Sequence, residues 1–239
     1  MNEISPLGLA KPAFDIGIFT NQIDALIEFW TSHTKVQPDH VLPVTKTLTQ
    51  HRHTFGDGVL KLNEVSGDLQ DKPGSAFGRI LFASKNVDEP QEFTDPDGNT
   101  GVLWPYDRDG IRHWALEILT PSLDTFFEFY EQTLGLMRSS VHPQAVVCGN
   151  SLLIAKVDAS IELKKATPDL QMTGLRYFTL QVFNVDEIHR RVVELGGESG
   201  AEPRTLGKTA RISFIRDPFG NWIELSQRAS LTGPVPENK

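Results

Sequence analysis

Apolar and polar residues alternate along much of the chain with a period of two, which predicts a protein rich in β-strands. Three stretches instead repeat their apolar residues every three to four positions, as on one face of a helix. The predicted helices span residues 21 or 24 to about 32, residues 123–133 and residues 185–195. The predicted strands span residues 14–19, 41–49, 51–55, 58–65, 77–83, 111–118, 145–148, 151–157, 159–164, 175–182, 209–215 and 222–227. The succession of one strand, one helix and three strands recurs, and it predicts an α+β fold.

Two short motifs occur once in each half of the chain, which indicates an internal repeat. The helical motif Asp-x-x-x-Glu-Phe-aromatic lies at residues 24–30 and 124–130, and the turn Asp-Pro-x-Gly-Asn lies at 95–99 and 217–221. The turn recurs after 122 residues, whereas the phrase Asn-Val-Asp-Glu, at residues 86–89 and 184–187, recurs after 98. The segment between this phrase and the turn is therefore 24 residues shorter in the first half of the chain. We therefore predict four tandem βαβββ modules, the second of which lacks a helix and a strand.

The repeat divides the chain at the polar link of residues 106–110. We predict a degenerate N-terminal domain at residues 12–106, a C-terminal domain at residues 111–228 and a flexible tail at residues 229–239.

Composition narrows the class of protein. The chain has 239 residues, a net charge of −8 and no basic stripe, which argues against a nucleic-acid partner. The single cysteine, Cys148, excludes an internal disulfide framework, and its apolar neighbours predict a buried strand residue. We expect no signal peptide and no membrane span, because no stretch approaches the roughly 20 apolar residues that a span needs. A cytoplasmic protein is the resulting expectation.

The two copies of the turn lead into different strands. After the second copy, the strand 222–227 places Trp222, Glu224 and Ser226 on one face, whereas the first copy has Val102 at the position of the glutamate. Strand alternation also places polar side chains together on one face of each of two other predicted strands. These residues are His113 and Glu117 on one strand and Tyr177, Thr179 and Gln181 on another. A soluble domain seldom lines one surface in this way unless it binds a ligand there.

The four modules, the phrase Phe129-Tyr130-x-x-x-Leu134-Gly135-Leu136 and the second turn with Ile223-Glu224-Leu225 resemble the vicinal-oxygen-chelate superfamily. This superfamily includes glyoxalase I, bleomycin- and fosfomycin-resistance proteins, epimerases and extradiol dioxygenases. The resemblance covers about residues 12–226 and is strongest over 111–226. It implies that paired modules curl into two glyoxalase-like open-barrel domains, with a divalent metal ion on a concave face.

The resemblance implies ligands on the first and last strand of each module. In the second half these positions hold His113, Glu162, Tyr177 and Glu224. Tyr177 departs from the pattern, since many relatives have a second histidine there. The metal ligands implied are thus His113, Glu162 and Glu224, a set that suits Fe, Mn, Zn, Ni, Co or Mg.

Each candidate has an alternative interpretation. His113 is a ligand or a hydrogen-bonded core histidine, Glu162 is a ligand, a base or a solvated strand end, and Glu224 is a ligand or an ion-paired cavity residue. Tyr177 and Glu117 are the catalytic candidates, with Tyr177 alternatively packing in the cavity wall. The substrate-binding candidates are Gln181, Arg211 and Trp222, and Arg211 favours an anionic substrate if it faces the cavity.

The corresponding positions of the first half hold Asp15, Asn63 or Glu64, Arg79 and Val102, which do not make a cation site. We interpret that half as structural or as shaping the substrate entrance.

Three functions remain open from the sequence. The leading hypothesis is a metal-dependent enzyme acting on a small molecule with vicinal oxygens, as a glyoxalase, isomerase or lyase or as a ring-cleaving dioxygenase. The second is a metal-free small-molecule-binding or resistance protein that uses the same cavity, and the third is an accessory subunit with a vestigial site. The expected partner is a small-molecule substrate, with no nucleic acid and no membrane, and the chain is expected to be a monomer or a homodimer.

Overall fold

The structure, a computed structural model, describes residues 7–70, 75–163 and 169–238. The helices are α1 Ile23–His33, α2 Leu123–Phe127 (continued by a π-helical turn at Glu128–Thr133), α3 Val185–Glu194 and α4 Ala229–Thr232. The strands are β1 Asp15–Thr20, β2 Gln37–Pro43, β3 Leu48–Phe55, β4 Gly58–Val65, β5 Phe77–Ser84, β6 Gln91–Thr94, β7 Thr100–Pro105, β8 Trp114–Thr120, β9 Met137–Arg138, β10 Ala145–Cys148, β11 Ser151–Val157, β12 Gly174–Gln181, β13 Glu198–Leu206, β14 Ala210–Arg216 and β15 Trp222–Arg228.

The element order confirms the predicted α+β class and the four modules. Modules 1, 3 and 4 each contain a strand, a helix and three strands, beginning with β1, β8 and β12. Module 2 consists of β5, β6 and β7, so it lacks a helix and one strand in the described part of the chain. The 24 residues missing from the repeat account for this truncation.

The strand pairing differs from the predicted division at residue 106. Module 4 and module 1 share an eight-stranded sheet through the antiparallel pair β1–β12, and modules 2 and 3 share a seven-stranded sheet through β5–β8. The predicted division into residues 12–106 and 111–228 therefore does not coincide with the two sheets, each of which takes one module from either half of the chain. The link after β7 carries the chain directly into β8 of the same sheet, and β1 is left to pair with β12.

The repeated turns join the modules in a second way. In each turn the aspartate accepts bonds from the backbone and side chain of the asparagine four residues later, as Asp95 does from Asn99 and Asp217 from Asn221. Each aspartate also accepts a bond from the last aromatic residue of the repeated helical motif. Trp30 donates to Asp95 over 3.1 Å, and Tyr130 donates to Asp217 over 2.7 Å. The two repeated motifs therefore contact each other, because the helix of one module donates a hydrogen bond to the turn of the next module.

Helix α3 illustrates how local sequence sets the helix ends. The Asn184 side chain accepts the backbone N–H of Glu187 over 3.1 Å, which caps the first turn. Val185 and Val192 are buried on one face, and Gly196, with a φ of 90°, follows the last turn where a left-handed residue is needed.

One apolar core lies against both sheets. It contains the inward residues of β1, β8 and β12, and Phe14 stacks on Trp114 with ring centroids 5.8 Å apart. Cys148 is buried in β10, as predicted. No helix of the described residues is long and apolar enough to span a membrane.

One local expectation is wrong, and the predicted tail makes contacts with the sheet. Residues 159–163 form a turn and an irregular segment instead of a strand, so β11 is the last strand of module 3; residue 164 lies outside the described residues. The predicted tail contains the short helix α4, and Asn238 exchanges hydrogen bonds with the backbone of Thr205 at 2.7 and 3.0 Å, so its described part contacts β13.

Candidate functional site

The eight-stranded sheet carries a cluster of polar side chains on one face, which we call the cup. Its members are Asp15 on β1, Gln50 and Arg52 on β3, Lys61 and Asn63 on β4, Tyr177, Thr179 and Gln181 on β12, and Glu224 on β15. Strand register sets them side by side, because Asp15 pairs with Thr179 and Thr179 pairs with Glu224. Hydrogen bonds join side chains that lie three strands apart, so this face of the sheet is concave.

Lys61 lies at the centre of the cup and is only 2% exposed. Its ammonium donates to Thr179 Oγ1 over 2.6 Å and to Glu224 Oε2 over 2.8 Å, and it lies 3.7 Å from Asp15 Oδ2. Thr179 in turn donates to the same carboxylate oxygen over 2.6 Å. Burial lowers the pKa of Lys61, although the charges of Glu224 and Asp15 act against this. The centre of the cup is therefore a desolvated cation between two carboxylates.

Asp15 is fully buried beside a second cation. Lys11 donates to Asp15 Oδ1 over 2.6 Å, and Gln181 Nε2 donates to Oδ2 over 3.3 Å. Burial alone raises the pKa of this carboxyl, but the charges of Lys61 and Lys11 outweigh it and hold the pKa below its usual value. Asp15 is thus an anion at neutral pH, with an ion-pair partner on either side.

Tyr177 lies above the central strand. Its hydroxyl accepts from Asn63 Nδ2 over 3.3 Å and from Gln50 Nε2 over 3.4 Å. The ring lies over Gly17, where a Cβ atom would come within 2.0 Å of a ring carbon, so glycine is needed at that position of β1. Burial raises the pKa of the Tyr177 phenol, and it remains protonated at neutral pH.

An aromatic wall adjoins the polar cluster. Tyr177 packs with Phe19 at 5.9 Å and with Phe214 at 6.1 Å between ring centroids, and Phe214 packs edge-on against Trp222 at 5.8 Å. Phe214 and Trp222 are only partly buried. The cup therefore combines charged groups with apolar surface that remains partly open to solvent, as a site for a small organic molecule requires.

The predicted metal ligand His113 does not lie in the cup. It precedes β8 in the other sheet, where Nε2 lies 2.6 Å from the carbonyl oxygen of Phe55 and Nδ1 lies 3.2 Å from Ser151 Oγ. A carbonyl oxygen only accepts, so Nε2 carries the proton and donates. Burial lowers the pKa of His113, which keeps the ring neutral at neutral pH. The alternative interpretation, a hydrogen-bonded core histidine, is the one that the geometry supports.

Three other candidates also lie elsewhere. Glu162 is exposed in the irregular segment after β11. Glu117 accepts a bidentate pair of hydrogen bonds from Arg79, at 2.9 and 2.7 Å, on the seven-stranded sheet. Arg211 binds Asp186 of α3 through two guanidinium nitrogens at 2.5 Å, so it contacts the helix rather than the cup.

The face of the seven-stranded sheet that carries Glu117 is mainly apolar. Leu81, Val102, Ala115 and Ile154 form a buried cluster there, and Val102 replaces the glutamate of the fourth module. Apart from the Arg79–Glu117 pair, the described residues of this face offer no polar cluster comparable to the cup.

Four of the eight predicted site residues thus come together, namely Tyr177, Gln181, Trp222 and Glu224. The prediction missed Lys61 and the participation of module 1, although Asp15 and Asn63 were placed at ligand-like positions of that module. The alternation of Val59, Lys61 and Asn63 on β4 is the signal that pointed to the same face. Across the described parts of the chain, no three His, Cys, Asp or Glu side chains are grouped to hold a metal ion.

Comparisons with known proteins identify relatives of this fold. The sequence model of the Glyoxalase/Bleomycin resistance protein/Dioxygenase superfamily matches residues 110–225. The chain is similar to glyoxalase I from Zea mays, with a TM-score of 0.68 and 16% identity over 90% of this chain and 92% of that one. It is similar to a dioxygenase candidate from Bacillus subtilis subsp. subtilis str. 168, with a TM-score of 0.66 and 10% identity over 94% and 86% of the two chains.

A third similar structure is the cppA protein from Streptococcus pneumoniae TIGR4, with a TM-score of 0.51 and 9% identity over 93% of this chain and 100% of that one. At these identities the likeness concerns the fold alone. No curated protein matches the sequence.

Proposed function

We propose that the protein binds a small organic molecule in the cup without a divalent metal ion. Residues 110–225 match the sequence model of the Glyoxalase/Bleomycin resistance protein/Dioxygenase superfamily. The superfamily contains enzymes and binding proteins on one fold, so the site and not the fold must decide between them. The observation that carries the proposal is the position of Lys61.

Lys61 places a buried positive charge at the centre of the site. Its ammonium contacts the carboxylate of Glu224, the hydroxyl of Thr179 and, at longer range, the carboxylate of Asp15. A buried ammonium is stable only when such partners compensate the loss of water. Only two of its three N–H groups donate hydrogen bonds to described residues, so the third is available to an oxygen atom of a ligand.

The residues of the cup do not fit a divalent metal ion. Relatives commonly use one, and the sequence predicted Fe, Mn, Zn, Ni, Co or Mg at His113, Glu162 and Glu224. Of these only Glu224 lies in the cup, and its carboxylate already binds the Lys61 ammonium. A divalent ion between Asp15 and Glu224 would lie against that ammonium, which opposes its binding. The metal-dependent reaction is therefore not the function we propose.

A second candidate function is metal-independent catalysis in the same cup. The observation that favours it is the grouping of a buried lysine, two carboxylates and a buried tyrosine, a combination typical of sites that move protons. In this function the Lys61 ammonium would stabilise an oxyanion of the substrate, and Glu224 would accept or return a proton.

A ligand screen on metal-stripped protein tests the proposal. We expect one or more small molecules to raise the melting temperature in the presence of EDTA. The stabilisation should be lost in Tyr177→Phe or Gln181→Met, which alter the cup. It should persist in Glu117→Gln, a matched control because that carboxylate lies on the other sheet. Stabilisation that needs added metal, or that survives both cup variants, would contradict the proposal.

Two further measurements separate the alternatives. Elemental analysis of protein purified without a metal-chelating tag should find no stoichiometric transition metal in the wild type. In Lys61→Ala, which removes the competing charge, added Mn²⁺ should raise the melting temperature. Mass spectrometry of each hit after incubation then distinguishes binding, in which the compound is recovered unchanged, from catalysis, in which a product appears.

A further inference from the structure

Two arginines, Arg52 in the cup and the partly buried Arg228 at its edge, each have a buried guanidinium nitrogen without a hydrogen-bond partner. Arg52, on β3, is 6% exposed, and its Nη1 donates to Gln50 Oε1 over 2.7 Å. Its Nε is buried without a hydrogen-bond partner, and so is the Nε of Arg228 at the end of β15. Within the described ranges neither guanidinium forms an ion pair shorter than 4.0 Å with a carboxylate.

Both arginines start from the cup face of the eight-stranded sheet, since Arg228 follows Glu224 and Ser226 on the same face of β15. Arg52 pairs in register with Lys61, so its side chain lies on the cup face of the sheet. Burial lowers the pKa of Arg52, and the charge of Arg228 lowers it further, while Asp15 and Glu224 act in the opposite direction. Two like charges in a desolvated position are unfavourable unless an anion lies between them.

The charges around the cup also do not balance. Four cations, Lys11, Arg52, Lys61 and Arg228, accompany two carboxylates, Asp15 and Glu224, which leaves a surplus of two positive charges. The protein as a whole has a net charge of −8, so this surplus is local and runs against the overall composition. A concentrated positive charge of this kind attracts small anions.

We propose that the ligand of the cup carries an anionic oxygen group, a carboxylate or a phosphate, that binds between Arg52 and Arg228. This inference rests on the proposed function and specifies the class of ligand. Guanidinium groups match the oxygens of both anions through paired hydrogen bonds. The third N–H of Lys61 can donate to the same ligand, and the wall formed by Tyr177, Phe214 and Trp222 would contact its apolar part.

Calorimetric titration of metal-stripped protein with two probes tests the inference. The probes are inorganic phosphate and benzoate, each compared with sodium chloride at constant ionic strength, so that the two sources of the anionic group are distinguished. We expect at least one probe to bind and to raise the melting temperature. Its affinity should fall about tenfold or more in Arg52→Gln and in Arg228→Gln, because each removes one charged donor.

Arg190→Gln is the matched control, since Arg190 is exposed on α3 and pairs with Glu194. Its affinity for the probe should equal that of the wild type. Arg228 is only partly buried, so its variant is expected to fold even if Arg52→Gln does not. The inference is overturned if neither probe binds better than chloride, or if Arg228→Gln binds a probe as tightly as the wild type.

The outcome also separates this inference from the proposed function. If neutral compounds stabilise the protein through Tyr177 while neither anion binds, the cup is a ligand site and only the anionic class is wrong. If neither neutral compounds nor anions bind in the cup, both proposals fail.

Discussion

Replacement of Lys61 by methionine is the most direct test of the charge network. Methionine has nearly the length of lysine, so the substitution removes the ammonium while largely preserving the packing. The carboxylates of Asp15 and Glu224 would then share a buried site with one cation fewer. Lys11 remains at 2.6 Å from Asp15, so Glu224 loses more than Asp15 does.

The expected loss is large. Removing one partner of a buried ion pair typically costs about 3–5 kcal/mol, because the remaining charge is left without compensation. Lys61 is buried and contacts Glu224 at 2.8 Å and Thr179 at 2.6 Å, so it meets the conditions of that range. We expect a decrease of about 3 kcal/mol or more in the free energy of unfolding at pH 8, which corresponds to about 6 °C or more in melting temperature.

The loss should depend on pH. In the wild type, burial raises the pKa of Asp15 while the charges of Lys61 and Lys11 lower it, so removing Lys61 shifts this pKa upward. Protonation of Asp15 in the folded variant then removes uncompensated charge as the pH falls, which restores part of the stability. The difference between wild type and Lys61→Met should therefore be smaller at pH 5 than at pH 8.

Urea unfolding at pH 5 and pH 8 measures both quantities. The double variant Lys61→Met/Glu224→Gln should recover about half of the loss, because it also removes the charge that Lys61 compensated. Lys46→Met, on the surface, is the control and should leave the free energy of unfolding unchanged. A loss below about 1 kcal/mol at pH 8, or a loss independent of pH, would refute the reasoning.

Three further predictions concern other parts of the molecule. Tyr130→Phe removes the hydroxyl that donates to the second repeated turn and should cost about 1–3 kcal/mol in urea unfolding, whereas Tyr106→Phe, at an exposed site, should have no effect. His113→Gln should reduce the loss of folding stability between pH 7 and pH 5. Burial lowers the pKa of His113, so the unfolded wild type takes up more protons than the folded wild type as the pH falls below 6.5. An equal loss in the wild type and in His113→Gln would contradict the assignment of His113 as a buried, neutral histidine. Gly17→Ala should displace the Tyr177 ring, reduce the free energy of unfolding by about 1–3 kcal/mol and abolish ligand binding in the thermal-shift assay. If binding is retained, the position of the Tyr177 ring is not needed for it.

Much of the fold can be predicted from local sequence patterns. The period of apolar residues located the three long helices and most strands, and the repeated motifs revealed four modules and the truncation of the second. The aspartates at 95 and 217 and the aromatic residues at 30 and 130 were recognised as repeats. The structure adds that each pair is a hydrogen bond between neighbouring modules. Such features are predictable because they depend on residues close in sequence.

The errors arise where one local pattern has two interpretations. Residues 159–164 alternate like a strand, but the described part forms a turn and an irregular segment, so Glu162 does not lie on the last strand of module 3, which is β11. His113 precedes β8, and its partners Phe55 and Ser151 come from two other strands. Arg211 alternates correctly but faces α3. Periodicity assigns a residue to one face of a strand, but it does not state what covers that face.

The sequence by itself determined the modules, their order and the side of each strand on which Tyr177, Gln181 and Glu224 lie. Only the tertiary structure decided that module 1 pairs with module 4, because that pairing joins β1 to a strand about 160 residues away and leaves no trace in local periodicity. This pairing brings Lys61 from the half that appeared degenerate to Glu224 in the other half. Strand pairing, and not any sequence motif, places a lysine between the two carboxylates. For that reason the site does not fit a metal ion.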